Sequence, residues 1–92
     1  MTYEPTVTDT TGNPIMGLLV QLTDLNTGHT FPRETDGNGY CNVAMDADTK
    51  PDHRVTIAIL DPEYRFKGAV LGDEMTAAQA DGKHTVVLNP FV

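Results

Sequence analysis

Three histidines and an acidic loop are the groups in this sequence that could bind a metal ion. His29, His53 and His84 each stand where a predicted strand begins, and a metal site would need two of them to converge with a carboxylate. Strand starts at different edges rarely meet, so we expect solvent-facing or half-buried histidines. The loop Asp46–Asp52 offers oxygen ligands of the kind that calcium prefers, but Lys50 lies within it and no bidentate glutamate follows. We predict no metal, and weak calcium binding by this loop is the alternative.

The chain contains few groups that are suited to nucleophilic or acid–base catalysis. It contains no serine, and Cys41 lies in an alternating apolar run that favours a buried thiol. Asp61 and Glu63 are interpreted as turn residues and not as the carboxylate pair of a glycoside hydrolase. No predicted helix follows the glycines of segment 37–39, as a phosphate-binding loop would require. We predict that the protein is not an enzyme and has no cofactor.

Charge and length restrict the partners of the chain. Its 92 residues correspond to one domain, and thirteen acidic against six basic side chains give a net charge of −7. The densest basic segment, 65–67, is too small to bind phosphates by releasing counterions, which argues against nucleic acid and membranes as partners. Segment 1–10 has neither a basic start nor an apolar run. We therefore predict no signal peptide and a cytoplasmic location at synthesis.

Short alternating runs separated by turn residues predict an all-β fold. Seven strands are expected at about 4–9, 17–23, 29–34, 40–45, 54–60, 64–71 and 84–89. Pro32 removes a ladder donor and indicates an edge strand, whereas the strand 54–60 is apolar on both faces and is expected to be central. One or two helical turns are predicted at about 73–80, with Asp73 as the cap and a hairpin loop as the alternative.

The predicted core consists of the residues that alternate inward along these strands. They are Val7, Leu18, Val20, Leu22, Cys41, Val43, Val55, Ile57, Ile59, Tyr64, Val70, Val86 and Leu88.

Six sequence phrases occur in an order and spacing that resemble a known family. The phrases are Val7-Thr-Asp9, Gly12-Asn-Pro14, Gly17-Leu-Leu-Val-Gln-Leu22, Thr35-Asp-Gly-Asn-Gly-Tyr40, Glu63-Tyr64 and Thr85-Val-Val-Leu88. Together they resemble the carboxypeptidase regulatory-like domains, which are also described as prealbumin-like. The resemblance covers about residues 6–89 and implies a seven-stranded antiparallel immunoglobulin-like β-sandwich over a single domain, 1–92. Such domains are mostly non-catalytic supports, spacers, or modules that bind carbohydrate or protein, and similar lone domains are structural or decoration proteins of bacteriophage particles.

Apolar and aromatic side chains that are not assigned to the core are the candidate contact residues. They are Leu19, Tyr40, Val87, Phe91 and Val92. We expect a structural or interaction module that docks through an apolar patch or a sheet edge onto a larger assembly such as a phage particle, as a homo-oligomer or a virion-associated protein. The alternative is a carbohydrate- or cell-surface-binding module in which Tyr40 and the turns 36–40 and 46–52 contact a glycan.

Overall fold

The computed structural model describes residues 1–62, 66–67 and 73–90, which form two four-stranded sheets. The elements are β1 (Thr2–Asp9), β2 (Leu19–Asp24), β3 (Thr30–Glu34), β4 (Val43–Ala44), β5 (Arg54–Leu60), β6 (Phe66–Lys67), β7 (Asp73–Thr76), α1 (Ala77–Ala80) and β8 (Gly82–Pro90). The first sheet has the order β4-β1-β8-β6 and the second the order β3-β2-β5-β7. The predicted all-β fold is confirmed at this level.

One apolar core is built from the inward-facing residues of both sheets. The predicted members that are buried are Val7, Leu18, Val20, Leu22, Cys41, Val43, Val55, Ile57, Ile59 and Leu88. Val86 is partly buried against them, and Tyr64 and Val70 lie outside the described residues. The core also contains Tyr3, Ile15, Met45, Ala77 and Ala80, which the predicted core did not include.

The expectation of a wholly antiparallel fold is wrong for one pair of strands. β1 and β8 run parallel, with a register that extends from Tyr3 opposite Gly82 to Asp9 opposite Leu88. Alternation along a strand predicts which face is buried but not the direction of its neighbour. No hairpin joins these first and last strands, so no turn dictates an antiparallel pairing.

Two predictions about strand position in the second sheet agree with the structure. In β3, Pro32 stands opposite Gln21 of β2, and β3 is the outermost strand of this sheet within the described part of the chain. At this position the missing N–H of proline costs no ladder hydrogen bond. β5 pairs with both β2 and β7, as a central strand must.

The helix predicted at 73–80 is shorter than expected, because Asp73–Thr76 continues the second sheet as β7. Thr76, and not Asp73, is the N-cap. Its hydroxyl accepts a hydrogen bond from the Gln79 backbone at 3.2 Å, and the Gln79 side chain accepts one from the Thr76 backbone at 2.9 Å. This reciprocal pair is a capping box, which the spacing of threonine and glutamine encodes.

Within residues 1–62, 66–67 and 73–90, no helix has the length and apolar character needed to cross a membrane.

The thiol of Cys41 should react slowly in the folded protein. Its side chain belongs to the core, and burial raises its pKa from 9.0 to about 11. Two pKa units reduce the reactive thiolate about 100-fold, and limited access slows the reaction further. We expect a disulfide reagent such as Ellman's to modify the native chain at least about 100-fold more slowly than the urea-unfolded chain at the same pH. Equal modification rates in the native and the urea-unfolded chain would contradict the burial of Cys41.

Candidate functional site

Two of the predicted contact residues lie on the same side of the first sheet. β1 buries Tyr3 and Val7, so the alternate residues Thr6 and Thr8 point away from the core. Thr6 forms a bridge with Tyr40, and Thr8 stands opposite Val87. Residues that are paired across neighbouring strands share a side of the sheet. Tyr40 and Val87 therefore flank β1 on one surface. We call this surface the outer face and define it by Glu4, Thr6, Thr8, Tyr40, Lys83, Thr85 and Val87.

The seven residues that define the outer face include hydroxyl, aromatic and apolar groups, and their charges sum to zero. The Tyr40 hydroxyl donates a 2.8 Å hydrogen bond to Glu4, and this bond raises the pKa of Tyr40. Glu4 stands opposite Lys83 in the β1–β8 register, so the acidic and the basic residue of this face are neighbours. Val87 is 55% exposed, an unusually open position for a valine in a strand. A neutral surface of this kind contrasts with the net charge of −7 of the whole chain.

The other predicted contact residues do not join this face. Leu19 is half-buried in β2, where it stands opposite Glu34 of β3 and Leu60 of β5. It therefore belongs to the outward side of the second sheet, away from Tyr40 and Val87. Phe91 and Val92 lie outside the described residues.

A buried carboxylate holds together the loops at one end of the second sheet, which we call the loop end and define as residues 24–29 and 46–53. Asp24 is fully buried, and its Oδ2 atom accepts hydrogen bonds from the Thr49 hydroxyl and from Nδ1 of His53, both at 2.9 Å. Because an ionised carboxylate only accepts, this contact requires Nδ1 of His53 to donate, and the Lys50 backbone nitrogen lies 3.2 Å from the same ring nitrogen. The other oxygen, Oδ1, accepts from the backbone N–H groups of Asn26 at 2.8 Å and Thr27 at 3.3 Å.

The environment of Asp24 favours its charged form. Burial alone would raise the pKa of this carboxyl, but the hydrogen bonds from His53, from the Asn26 and Thr27 backbone and from Thr49 together hold it well below the ordinary value of 3.8. The charge thus stabilises the turn between β2 and β3 and attaches the loop 46–53, which precedes β5, to this turn. Sequence reasoning missed this role, since it assigned Asp24 to no site.

Next to this network, a second histidine meets the acidic loop. Nδ1 of His29 lies 2.8 Å from Oδ2 of Asp46, and both side chains are partly exposed. Asp48 is close to them, and one ligand atom from each of the three residues lies within 4.8 Å of the others. His29 is exposed and His53 is half-buried, as the sequence predicts for histidines at strand starts. The contact of each with an aspartate was not predicted, and it arises because the antiparallel strands of the second sheet bring both histidines to the loop end.

The remaining histidine has a structural environment. The ring of His84 is half-buried, lies 5.0 Å from the ring of Tyr3, and its Nε2 lies 3.1 Å from the carbonyl oxygen of Ala80. This agrees with the half-buried histidine that the sequence predicts.

No family model matches this chain, and no curated protein matches its sequence.

Proposed function

We propose that the protein is a non-enzymatic interaction module with an immunoglobulin-like β-sandwich fold, which docks through the outer face as a component of a larger assembly such as a phage particle. The observation that carries this proposal is a neutral sheet surface with an exposed Val87 and a fixed Tyr40 on a chain with a net charge of −7. The two-sheet architecture and the resemblance to carboxypeptidase regulatory-like domains both support it.

The charge distribution favours protein docking at this face over other surfaces. The centres of protein interfaces are depleted of charged residues and enriched in tyrosine. Burying the acidic loop end would instead remove three carboxylates, those of Asp46, Asp48 and Asp52, from water, which is costly for each charge that a basic group does not balance. On the outer face, Glu4 and Lys83 are opposite each other and can compensate each other's charge when water is excluded.

The first partner that fits the outer face is a second copy of this chain. A two-fold contact brings the same patch of two molecules together, so the patch must be complementary to itself. A face without net charge is compatible with this condition, because two copies can approach without repulsion between like charges at the contact. In a particle, repetition of such contacts would hold several copies side by side.

Replacing Val87 with lysine should weaken self-association at least about tenfold, because a buried lysine without a partner is costly at the centre of an interface. The fold should be retained, since the side chain is exposed. The matched control is Thr30→Lys, which adds the same charge at an exposed position of β3 in the other sheet. Sedimentation equilibrium of the two variants checks this. Equal association constants for the two would contradict docking at the outer face.

Carbohydrate binding is the second candidate function, and the fixed ring of Tyr40 is the observation that favours it. The bond to Glu4 anchors the hydroxyl at the edge of a face with several threonine hydroxyls, which can hydrogen-bond to a sugar. Retention on an immobilised glycan by a chain that does not self-associate would favour this second function.

A further inference from the structure

Side chains of two chemical kinds, from two separate segments, converge on the surface of the loop end. His29 precedes β3, and Asp46 and Asp48 belong to the loop that precedes β5. One imidazole nitrogen and two carboxylate oxygens lie within 4.8 Å of one another. From this donor set we propose that His29, Asp46 and Asp48 bind one divalent transition-metal ion, and that zinc fits the site best.

Two hydrogen bonds hold the backbone near these donors in place, and neither uses a ring nitrogen of His29. The carbonyl oxygen of His29 accepts a 2.8 Å hydrogen bond from the Asp24 backbone, which fixes the start of β3. On the other side of the site, the buried Thr49 follows Asp48 directly and is tied to the Asp24 carboxylate at 2.9 Å. Both segments are thus attached to the same buried residue, one through its backbone and the other through its side chain. A metal would need only side-chain rotations to complete its coordination.

The charges at this site favour a cation. Two carboxylates face one imidazole, on a chain that has a net charge of −7. Lys50 is the nearby basic residue of the loop, and its ammonium group donates a 3.1 Å hydrogen bond to the carbonyl oxygen of Ala47. The neutral imidazole, when its proton is on the other nitrogen, offers Nδ1 as a ligand.

The presence of both nitrogen and oxygen ligand atoms indicates which class of metal the site would bind. Calcium and magnesium prefer oxygen ligands only, whereas zinc accepts imidazole nitrogen and carboxylate oxygen in one tetrahedral site. The present 2.8 Å contact between His29 and Asp46 would open by a fraction of an ångström, because tetrahedral zinc ligands at about 2.0–2.1 Å are roughly 3.3 Å apart. Three protein ligands leave a fourth position open to water. The site is exposed, so we expect reversible binding.

Calorimetric titration of the chelator-treated full chain with zinc chloride tests this proposal. We expect one zinc ion per chain, and at least about tenfold weaker binding for both His29→Ala and Asp48→Asn, since each removes a ligand. Both positions are exposed, so both variants should fold. The matched control is Asp52→Asn, which removes an exposed carboxylate of the same loop that is not part of the cluster and should bind zinc as the unmodified chain does.

The ring signals of His29 provide a second measurement. In nitrogen-detected imidazole spectra, the Nδ1 resonance of His29 should shift on zinc addition, while His84 stays unchanged. Three outcomes would overturn the proposal: no zinc binding, zinc binding that is unaltered in His29→Ala, or a preference for calcium over zinc. Loss of zinc binding in the control Asp52→Asn would also overturn it, because the ion would then bind the loop's general negative charge.

Discussion

Replacing Gly39 with alanine should lower the free energy of unfolding by about 3–5 kcal/mol, a large part of the stability of a domain of this size. Gly39 has a φ of 72°, which an alanine adopts only with strain. A Cβ atom at this position would also overlap the carbonyl oxygen of Val7 in β1. This contact cannot relax locally, because the Gly39 carbonyl accepts from the Val7 backbone at 2.8 Å, and the Val7 carbonyl accepts from Ile15 at 3.0 Å.

Alanine variants of two other glycines distinguish steric overlap from backbone strain as the cause of this expected loss of stability. A Cβ atom on Gly37, in the same turn, would meet no atom within 4 Å, so Gly37→Ala should be nearly neutral. Gly12 has a φ of 88° but also has open space around it, so Gly12→Ala should cost about 1 kcal/mol from backbone strain alone. Urea denaturation of the three variants measures this order. If Gly39→Ala and Gly12→Ala lost equal stability, the close approach of the turn to β1 would be contradicted.

Replacing Asp24 with alanine should cost about 3–5 kcal/mol, because it removes the acceptor of a buried hydrogen-bonded pair. Every buried side-chain nitrogen and oxygen in residues 1–62, 66–67 and 73–90 has a hydrogen-bond partner. The variant would remove the 2.9 Å partner of both the Thr49 hydroxyl and His53 Nδ1, which would keep only longer contacts of 3.5 Å to Asp46 and 3.2 Å to the Lys50 backbone. Urea denaturation compares it with Asp52→Ala, an exposed position of the loop end where a change within about 0.5 kcal/mol is expected. A loss as small as that of the control would show that Asp24 does not organise this end.

The effect of Asp24 should depend on pH, with a sign that follows from its lowered pKa. Asp24 has a lower pKa in the folded chain than in the unfolded chain, where its pKa is near 3.8. Such a carboxyl group stabilises the fold at pH values above its unfolded pKa, and this contribution is lost as the pH falls towards its folded pKa. The difference in stability between the unmodified chain and Asp24→Ala should therefore shrink when the pH is lowered from about 6 to about 3. A difference that stays constant or grows would contradict a stabilising charge on Asp24.

Much of the fold can be read from the alternation of apolar residues. The runs around Val20 and Ile57 predict both the strands and their buried faces, and Pro32 predicts the edge position of β3. The parallel pairing of β1 with β8 could not be predicted, because the two strands are joined by no hairpin and alternation has no direction. The turn 35–39 was recognisable by its glycines. Which of them passes close to β1 depends on tertiary contacts that the local sequence does not contain.

The candidate sites were less accessible to sequence reasoning than the fold. Tyr40 and Val87 could each be predicted to face outward, but their presence on one surface depends on the register of β1 with both neighbouring segments. Leu19 faces outward on the other sheet for the same reason. The contact of His29 with Asp46 joins segments 17 residues apart. It requires knowledge of which strand ends meet, and no local motif signals it.

The mass of the purified chain in solution, measured by light scattering over a wide range of concentrations, tests docking through the outer face most directly. A self-complementary neutral face predicts a mass that rises with concentration from 10.0 kDa, the mass of one chain, towards that of a defined oligomer. Moderate salt should not reverse the rise, because the contact face carries no net charge and salt screens the repulsion between two chains that each have a net charge of −7. A constant mass of 10.0 kDa at every concentration would contradict self-docking.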